Sequence, residues 1–526
     1  MKKQYAFVVL AGLIAVVTAC SSKTKIKKEM ASDQTNYYQE QYRPHYHFSP
    51  EFGWMNDPNG MVFYKGEYHL FYQYYPDSTV WGPMHWGHAV STDLVHWKHL
   101  PIALYPDSIG YIFSGSAVVD WKNTTGFGTS DDPPLVAIFT YHNMAREKAG
   151  RTDAENQGIA YSTDKGRTWV KYDGNPVLLN PGIKDFRDPN VIWNEELQKW
   201  NLILSAHDRV RIYSSPDLKD WNFESEFGAD AGSHGGVWEC PDLFPLKVKE
   251  TDQPKWVMLV NLNPGGPNGG SGTQYFVGDF DGHQFTPASK DTSWLDWGHD
   301  NYAGVTWSDI PKEDGRRIFL GWMSNWNYAQ VVPTTTWRSA MTVPRVLTLD
   351  NENGNYKVLV DPVKELDELR IPGAEVKQAD LSVAGEKTVQ LDSIRLACSE
   401  INVEFQKADQ LPHSFGLTLS NDQNEQLRIG YSSENKQLFV DRSKAGKNDF
   451  SPKFEGVATA PFEMSETMKL HIYVDVASVE VFADDGQLVM TETYFPTSEM
   501  NHLQLFSDKG SIEVKDIGVY GLKSIW

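Results

Sequence analysis

The turn Ser91-Thr92-Asp93-Leu94-Val95-His96-Trp97 constrains the fold more than any other segment, because it recurs. It returns as Ser162-Thr163-Asp164-Lys165-Gly166-Arg167-Thr168-Trp169 and as Ser214-Ser215-Pro216-Asp217-Leu218-Lys219-Asp220-Trp221, with a looser copy in Gly278-Asp279-Phe280-Asp281-Gly282-His283-Gln284-Phe285. Short apolar runs lie between such turns, among them Gly60-Met61-Val62-Phe63-Tyr64, His69-Leu70-Phe71-Tyr72-Gln73, Leu135-Val136-Ala137-Ile138-Phe139 and Trp256-Val257-Met258-Leu259-Val260. These are strand signatures, and long helical periodicity is nearly absent. A strand, a polar turn and an aromatic anchoring the next strand, repeated, give an all-β propeller whose blades surround a channel. A β-sandwich with coincidental turns is the rival, which the repetition disfavours. In a propeller the inner strands converge on the axis, so residues far apart in sequence can meet there.

Three acids occupy similar contexts in different repeats. Asp57 lies in Trp54-Met55-Asn56-Asp57-Pro58-Asn59-Gly60, Asp188 in Phe186-Arg187-Asp188-Pro189-Asn190, and Glu239 in Trp238-Glu239-Cys240-Pro241-Asp242-Leu243-Phe244. All three segments read as turns. Taken singly, the first two are more often turns than sites, and Glu239 is either a buried structural acid or a catalyst. Together they suggest a sugar-cleaving enzyme, because glycosidic hydrolysis uses paired carboxylates. Hydrolysis with retention needs an ionised nucleophile and a protonated acid about 5–5.5 Å apart, held in unlike environments. Asn56, Asn59 and turn amides favour a charged Asp57. The apolar Val237-Trp238 before Glu239 favours its proton, and Arg187 favours an ionised Asp188. An anion fixed beside the sugar ring stabilises an oxocarbenium-like transition state.

Composition fits this reading. The formal net charge of −21 argues against a nucleic-acid partner. Aromatics make up 13% of the chain, with 18 Trp and 24 Tyr, and such flat faces with polar edges suit stacking on sugars. For any single ring, packing within a blade is the competing role. Lys2 and Lys3 precede an apolar run from Tyr5 to Val17, the pattern of an export signal over 1–19. The run is short for a membrane span. Val17-Thr18-Ala19-Cys20 resembles a bacterial lipobox, which implies a lipid on Cys20, a tether over 20–42, and a cell-envelope location with membrane contact only through that lipid. Cys240 and Cys398 are too few for a disulfide framework and read as buried thiols. No metal or cofactor motif is present. After a propeller over 43–348 and a linker over 349–372, with a short helix near Lys364 to Arg370, alternation resumes as a β-sandwich over 373–526.

The three acidic motifs resemble those of glycoside hydrolase family 32, the invertase, inulinase and levanase family. Phe71-Tyr72-Gln73-Tyr74, Trp81-Gly82-Pro83-Met84-His85-Trp86-Gly87-His88, Phe113-Ser114-Gly115-Ser116, Gly321-Trp322-Met323-Ser324-Asn325-Trp326 and Trp337 to Arg345 match as well, and Val479-Glu480-Val481-Phe482 extends the likeness into the second domain. The resemblance implies a five-bladed propeller joined to a β-sandwich and a retaining β-fructofuranosidase needing no cofactor. It assigns Asp57 as nucleophile, Glu239 as acid/base and Asp188 as transition-state stabiliser. Asn56, Gln73, Trp81, Phe113, Ser114 and Arg187 are expected to line the pocket, with Trp326 and Tyr302 placed by looser alignment. The substrate is expected to be levan, inulin or fructo-oligosaccharide, with sucrose as a minor one. The intact Glu-Cys-Pro-Asp-Leu points to exo-action. Endo-action, fructosyl transfer and a non-catalytic fructan-binding role remain open at this level.

Overall fold

A computed structural model describes residues 37–526, apart from 130, 250, 252 and 455. The expected signal peptide, Cys20 and most of the tether therefore lie outside the described residues. Within 37–43, Arg43 pairs with Glu40 at 2.6 Å.

Five antiparallel sheets succeed one another. Blade I consists of Gly53–Tyr64, Glu67–Tyr75, His85–Ser91 and Trp97–Leu104, and Trp337–Arg338 adds to it in parallel beside Gly53 and Trp54. Blade II is Tyr111–Val119, Leu135–His142, Glu155–Ser162 and Val170–Lys171. Blade III is Phe186–Asn194, Lys199–Ala206, Val210–Ser215 and Asn222–Phe227. Blade IV is Val237–Lys247, Pro254–Asn263, Gly272–Phe280 and Phe285–Pro287, with Ser293–Trp294 also paired to its third strand. Blade V is Tyr302–Thr306, Arg317–Met323, Arg345–Glu352 and Asn355–Pro362, with Ala340–Met341 added. The first strand of each blade touches the first strand of the next, and that of blade V returns to that of blade I. The ring is therefore closed: a five-bladed β-propeller.

Burial follows from this geometry. Leu135–His142 is buried at every position, because a middle strand is covered on both faces by neighbouring blades. The outer strand Trp97–Leu104 is mostly half-exposed. The recurring turn joins the third and fourth strands. Asp93 accepts the amides of Val95 and His96, and Asp217 those of Lys219 and Asp220. The closing indole donates backward in each copy: Trp97 to Leu94, Trp169 to Gly166 and Trp221 to Leu218. An Asx-type turn thus satisfies its own backbone while the indole pins the outer strand.

The stretch 349–372, read from the sequence as a linker, is largely not one. Arg345–Glu352 and Asn355–Pro362 form the outer hairpin of blade V, turning at Asn353 and Gly354, both with positive φ. The polar turn that suggested a boundary is the tip of this hairpin. A 3-10 helix, Lys364–Leu369, follows it, and the second domain begins with Arg370–Val389. That strand and His502–Leu522 are long and paired with each other. The first half of His502–Leu522 pairs with Ser414–Ser420 and the second half with Ser399–Gln406. Two strands thus pass from one layer to the other, joining a sandwich into one ten-stranded sheet around a core that includes Phe405, Phe415, Leu417 and Ile472.

A polar seam ties the sandwich to the propeller. Arg345 of blade V donates to Glu480 at 2.5 Å and to Asp296 at 2.9 Å, and His47 bridges Asp475 and Glu480 at 2.8 Å each. All five side chains are essentially excluded from water.

Candidate active site

Every inner strand breaks register at one corresponding place: between Met55 and Pro58, Ile112 and Gly115, Arg187 and Asn190, Glu239 and Asp242, and Tyr302 and Val305; Gly53–Tyr64 breaks again between Asn59 and Val62. At each break sits one pair of residues: Asn56-Asp57, Phe113-Ser114, Arg187-Asp188, Glu239-Cys240 and Tyr302-Ala303. A bulge re-aims side chains locally, so five bulges in phase gather residues from five blades. Asp188, Cys240 and Ala303 have positive φ, at 62°, 44° and 52°. Each pair is followed by Pro58, Gly115, Pro189, Pro241 or Gly304. Proline is tolerated there because the inner strand is a sheet edge. The glycines are steric: a Cβ on Gly115 would lie 2.1 Å from the Ile138 carbonyl oxygen, and one on Gly304 2.0 Å from the Phe319 ring. The acidic segments read as turns are therefore bulged strands, and their proline signature arises from the edge.

The three acids come together. Ser114 Oγ donates to Asp57 Oδ2 at 2.8 Å, and Asn56 Nδ2 donates to Asp57 Oδ1 at 2.8 Å. The Cys240 amide donates to Asp188 Oδ2 at 2.9 Å. The Cys240 thiol lies 3.6 Å from both Asp57 Oδ2 and Asp188 Oδ2. Arg187 donates to Glu239 Oε1 through Nη2 at 2.9 Å and Nε at 3.2 Å, and the Tyr302 hydroxyl donates to Glu239 Oε2.

Burial pushes two of the acids in the direction opposite to the one their local sequence suggests. Burial, followed by the charge of Glu239, raises Asp57 above its ordinary value; Asn56 and Ser114 oppose this without reversing it. Burial likewise drives Asp188 upward, with Glu239 and Asp57 adding to it and Arg187 pulling the other way. Arg187 does not serve Asp188 alone, since its guanidinium also meets Glu155 at 3.1 Å and Asp185 at 2.8 Å. The Glu239 carboxyl is met by Arg187 and Tyr302, while the Trp238 ring stacks on His234 at 5.3 Å. Burial, with the neighbouring carboxyl charges adding to it, pushes Asp188 up to about 8. Tyr302 and Cys240 are pushed well up by burial and stay protonated.

The other residues expected to line the pocket have the following neighbours. Phe113 stacks on His142 at 4.2 Å and meets the Trp81 ring edge-on at 6.0 Å. Gln73 is buried on the second strand of blade I, and its Nε2 has no hydrogen-bond partner among the described residues. A buried amide donor without a partner is costly. Trp326 packs on Trp54 at 5.7 Å and on Trp322 at 5.1 Å. Sequence reading missed the supports of Arg187, namely Glu155 and Asp185, and also Thr140, whose Oγ accepts the Asp188 amide at 3.0 Å. Asp185 lies two residues before Arg187, but nothing local marks Glu155 or Thr140. Cys240 and Cys398 are buried free thiols, as expected.

A five-bladed propeller with three carboxyls from different blades on its axis is the framework of a glycoside hydrolase. Residues 47–362 match the model of the glycosyl hydrolases family 32 N-terminal domain, and residues 365–521 match that of the family 32 C-terminal domain. The chain belongs to this family. It is 51% identical over 498 residues to the levanase of Bacillus subtilis (strain 168), covering 94% of this chain and 72% of that protein. It is 38% identical over 524 residues to the extracellular exo-inulinase of Aspergillus awamori, covering 93% and 96%. The solved β-fructofuranosidase from Schwanniomyces occidentalis, complexed with fructosyl-erythritol, superposes with a TM-score of 0.85 at 32% identity, covering 94% of this chain and 100% of that one.

Proposed function

We propose that the protein is a retaining β-fructofuranosidase that removes fructose from the ends of β-fructans. The observation that carries this is the meeting of Asp57, Asp188 and Glu239 at the axis, with Cys240 touching the first two and Arg187 and Tyr302 gripping the third. Asp57 attacks the anomeric carbon of the terminal fructosyl unit. The bond from that carbon to the glycosidic oxygen breaks as Glu239 gives the leaving oxygen its proton. Glu239 then takes a proton from water, whose oxygen displaces Asp57 and releases fructose. Asp188 accepts ring hydroxyls and balances the positive charge that develops on the ring. The buried Gln73 amide and the faces of Trp81 and Phe113 bind the same unit.

Levanase and exo-inulinase relatives support a fructan substrate and exo-action. Sucrose presents the same terminal unit and is a secondary substrate. The lipobox supports an enzyme tethered to the cell envelope through Cys20. Product profiles on levan, inulin and sucrose, run side by side, test the reading. Fructose alone at early times supports exo-hydrolysis, and a ladder of oligosaccharides overturns it. Glu239→Gln should abolish turnover of fructan while leaving its binding intact.

A further inference from the structure

The sandwich carries a buried cation that touches two segments of the propeller. Arg442, on strand Gln437–Lys444, donates through Nη1 to Asp300 Oδ2 at 2.6 Å and through Nη2 to the Tyr328 hydroxyl at 3.0 Å. Tyr328 in turn donates to Asp300 Oδ1 at 2.7 Å. All three side chains are buried. Glu492, also in the sandwich, pairs with Arg442 at 2.9 Å and accepts the His299 amide at 2.8 Å. Asn325 donates to the His299 carbonyl at 2.8 Å, binding the two propeller segments to each other.

Each segment leads to one of the two reacting carboxyls. Asp300 is two residues before Tyr302, whose hydroxyl meets Glu239. Tyr328 is two residues after Trp326, which packs on Trp54. The Trp54 indole donates to Asn56 Oδ1 at 2.7 Å, and Asn56 donates to Asp57 at 2.8 Å. A site held within a fraction of an ångström needs supports that are themselves fixed, and a buried forked guanidinium is such a support.

We propose that Arg442 of the sandwich is a positioning residue for the propeller's reaction, fixing Tyr302 through Asp300 and Trp326 through Tyr328. This rests on Asp57 and Glu239 being the reacting pair. The sandwich is then part of the catalytic apparatus without touching substrate. The titratable groups facing Glu239 are Arg187, Tyr302, Asp57, Asp188 and Cys240. Of these, Arg442 governs only the placement of Tyr302 and, through Asn56, of Asp57. A loosened Tyr302 weakens its hydrogen bond to Glu239, and the alkaline limb of kcat/KM moves up as it does when that hydroxyl is removed.

The test uses Arg442→Lys and the milder Tyr328→Phe, which removes one hydroxyl and keeps the ring against Phe454. Both are assayed below their melting points on a short fructo-oligosaccharide, beside Tyr302→Phe and Glu239→Gln. The expected result is a kcat lowered tenfold or more in Arg442→Lys and about threefold in Tyr328→Phe. KM should change less than kcat, and the alkaline limb should rise in both, as in Tyr302→Phe. Adding Tyr302→Phe to Arg442→Lys should shift that limb no further. A lower melting point with unchanged kcat and pH profile would overturn the proposal and leave Arg442 as cement between domains. Surviving turnover in Glu239→Gln would instead overturn the catalytic assignment on which it rests.

Discussion

The Ser114 hydroxyl reaches from blade II to Asp57 in blade I and donates to Oδ2 at 2.8 Å, beside a thiol from blade IV at 3.6 Å. A carboxyl raised by burial is thereby pulled partly back toward its ionised form. Removing the donor with Ser114→Ala should raise Asp57 further. A hydrogen bond to a charged group contributes about 1.5–3 kcal/mol, equivalent to roughly one to two pH units. In the proposed mechanism Asp57 attacks in its ionised form, so activity falls as pH drops through its pKa, and the acid limb of kcat/KM should move upward. An unmoved acid limb would separate Ser114 from the charge state of Asp57.

Arg187 is held from behind by Glu155 and Asp185 and presents its remaining edge to Glu239. Lysine keeps the charge but cannot span these three partners at once. Arg187→Lys should lower kcat/KM about a hundredfold, or ~2.7 kcal/mol of transition-state stabilisation. Steady-state kinetics on sucrose and on levan check this, and a loss below threefold would count against the fork.

The two buried thiols should be inert in the native enzyme. Burial raises both, and Cys240 is raised further by the carboxylates around it, so neither supplies thiolate near neutrality. Alkylation at pH 8 followed by mass spectrometry should leave Cys240 and Cys398 unmodified until denaturant is added. Labelling of Cys240 in the folded enzyme, with loss of activity, would mean the axis opens in solution.

His47 makes the domain seam sensitive to alkali. Burial alone would lower its pKa, but Asp475 and Glu480 override this and push it up to about 9 from its ordinary 6.5. Its contribution is therefore complete below about 6.5 and fades as pH rises through about 9. Asp475 and Glu480 are held below their ordinary values, so their share is present above that range and fades in acid. Melting temperature should be highest near pH 5–6.5 and decline by the equivalent of roughly 3 kcal/mol toward pH 9–10. Calorimetry on His47→Gln should show a lower melting point and a flattened alkaline slope; parallel curves would refute the assignment.

The propeller was legible because its turns repeat chemistry, not merely hydrophobicity. Asp93, Asp164 and Asp217 each cap a turn closed by a Trp, and that spacing survives in sequence. Blade number was implied only by family likeness. Blade V lacks a clear copy of the turn, and its last hairpin reads as a linker because Asp350 to Gly354 looks like any exposed loop. The three acids were legible as motifs, but their electrostatics were not. Neighbours along the chain suggested a charged Asp57 and Asp188, whereas burial at the axis decides both. That burial depends on what the other four blades place nearby. The supports at Glu155, Thr140 and Arg442 are 32, 48 and 142 residues from the partners they hold, in Arg187, Asp188 and Asp300, and no local pattern marks such contacts.

The ionic seam has a consequence for ancestry. Recombination between relatives at the boundary near Val363 would part Arg345 from Glu480 and Asp300 from Arg442, stranding charges in a dry interior. Chimeras would survive only where both parents share these pairs. The two halves of the gene are therefore expected to be inherited together, with substitutions on one side of the seam answered on the other.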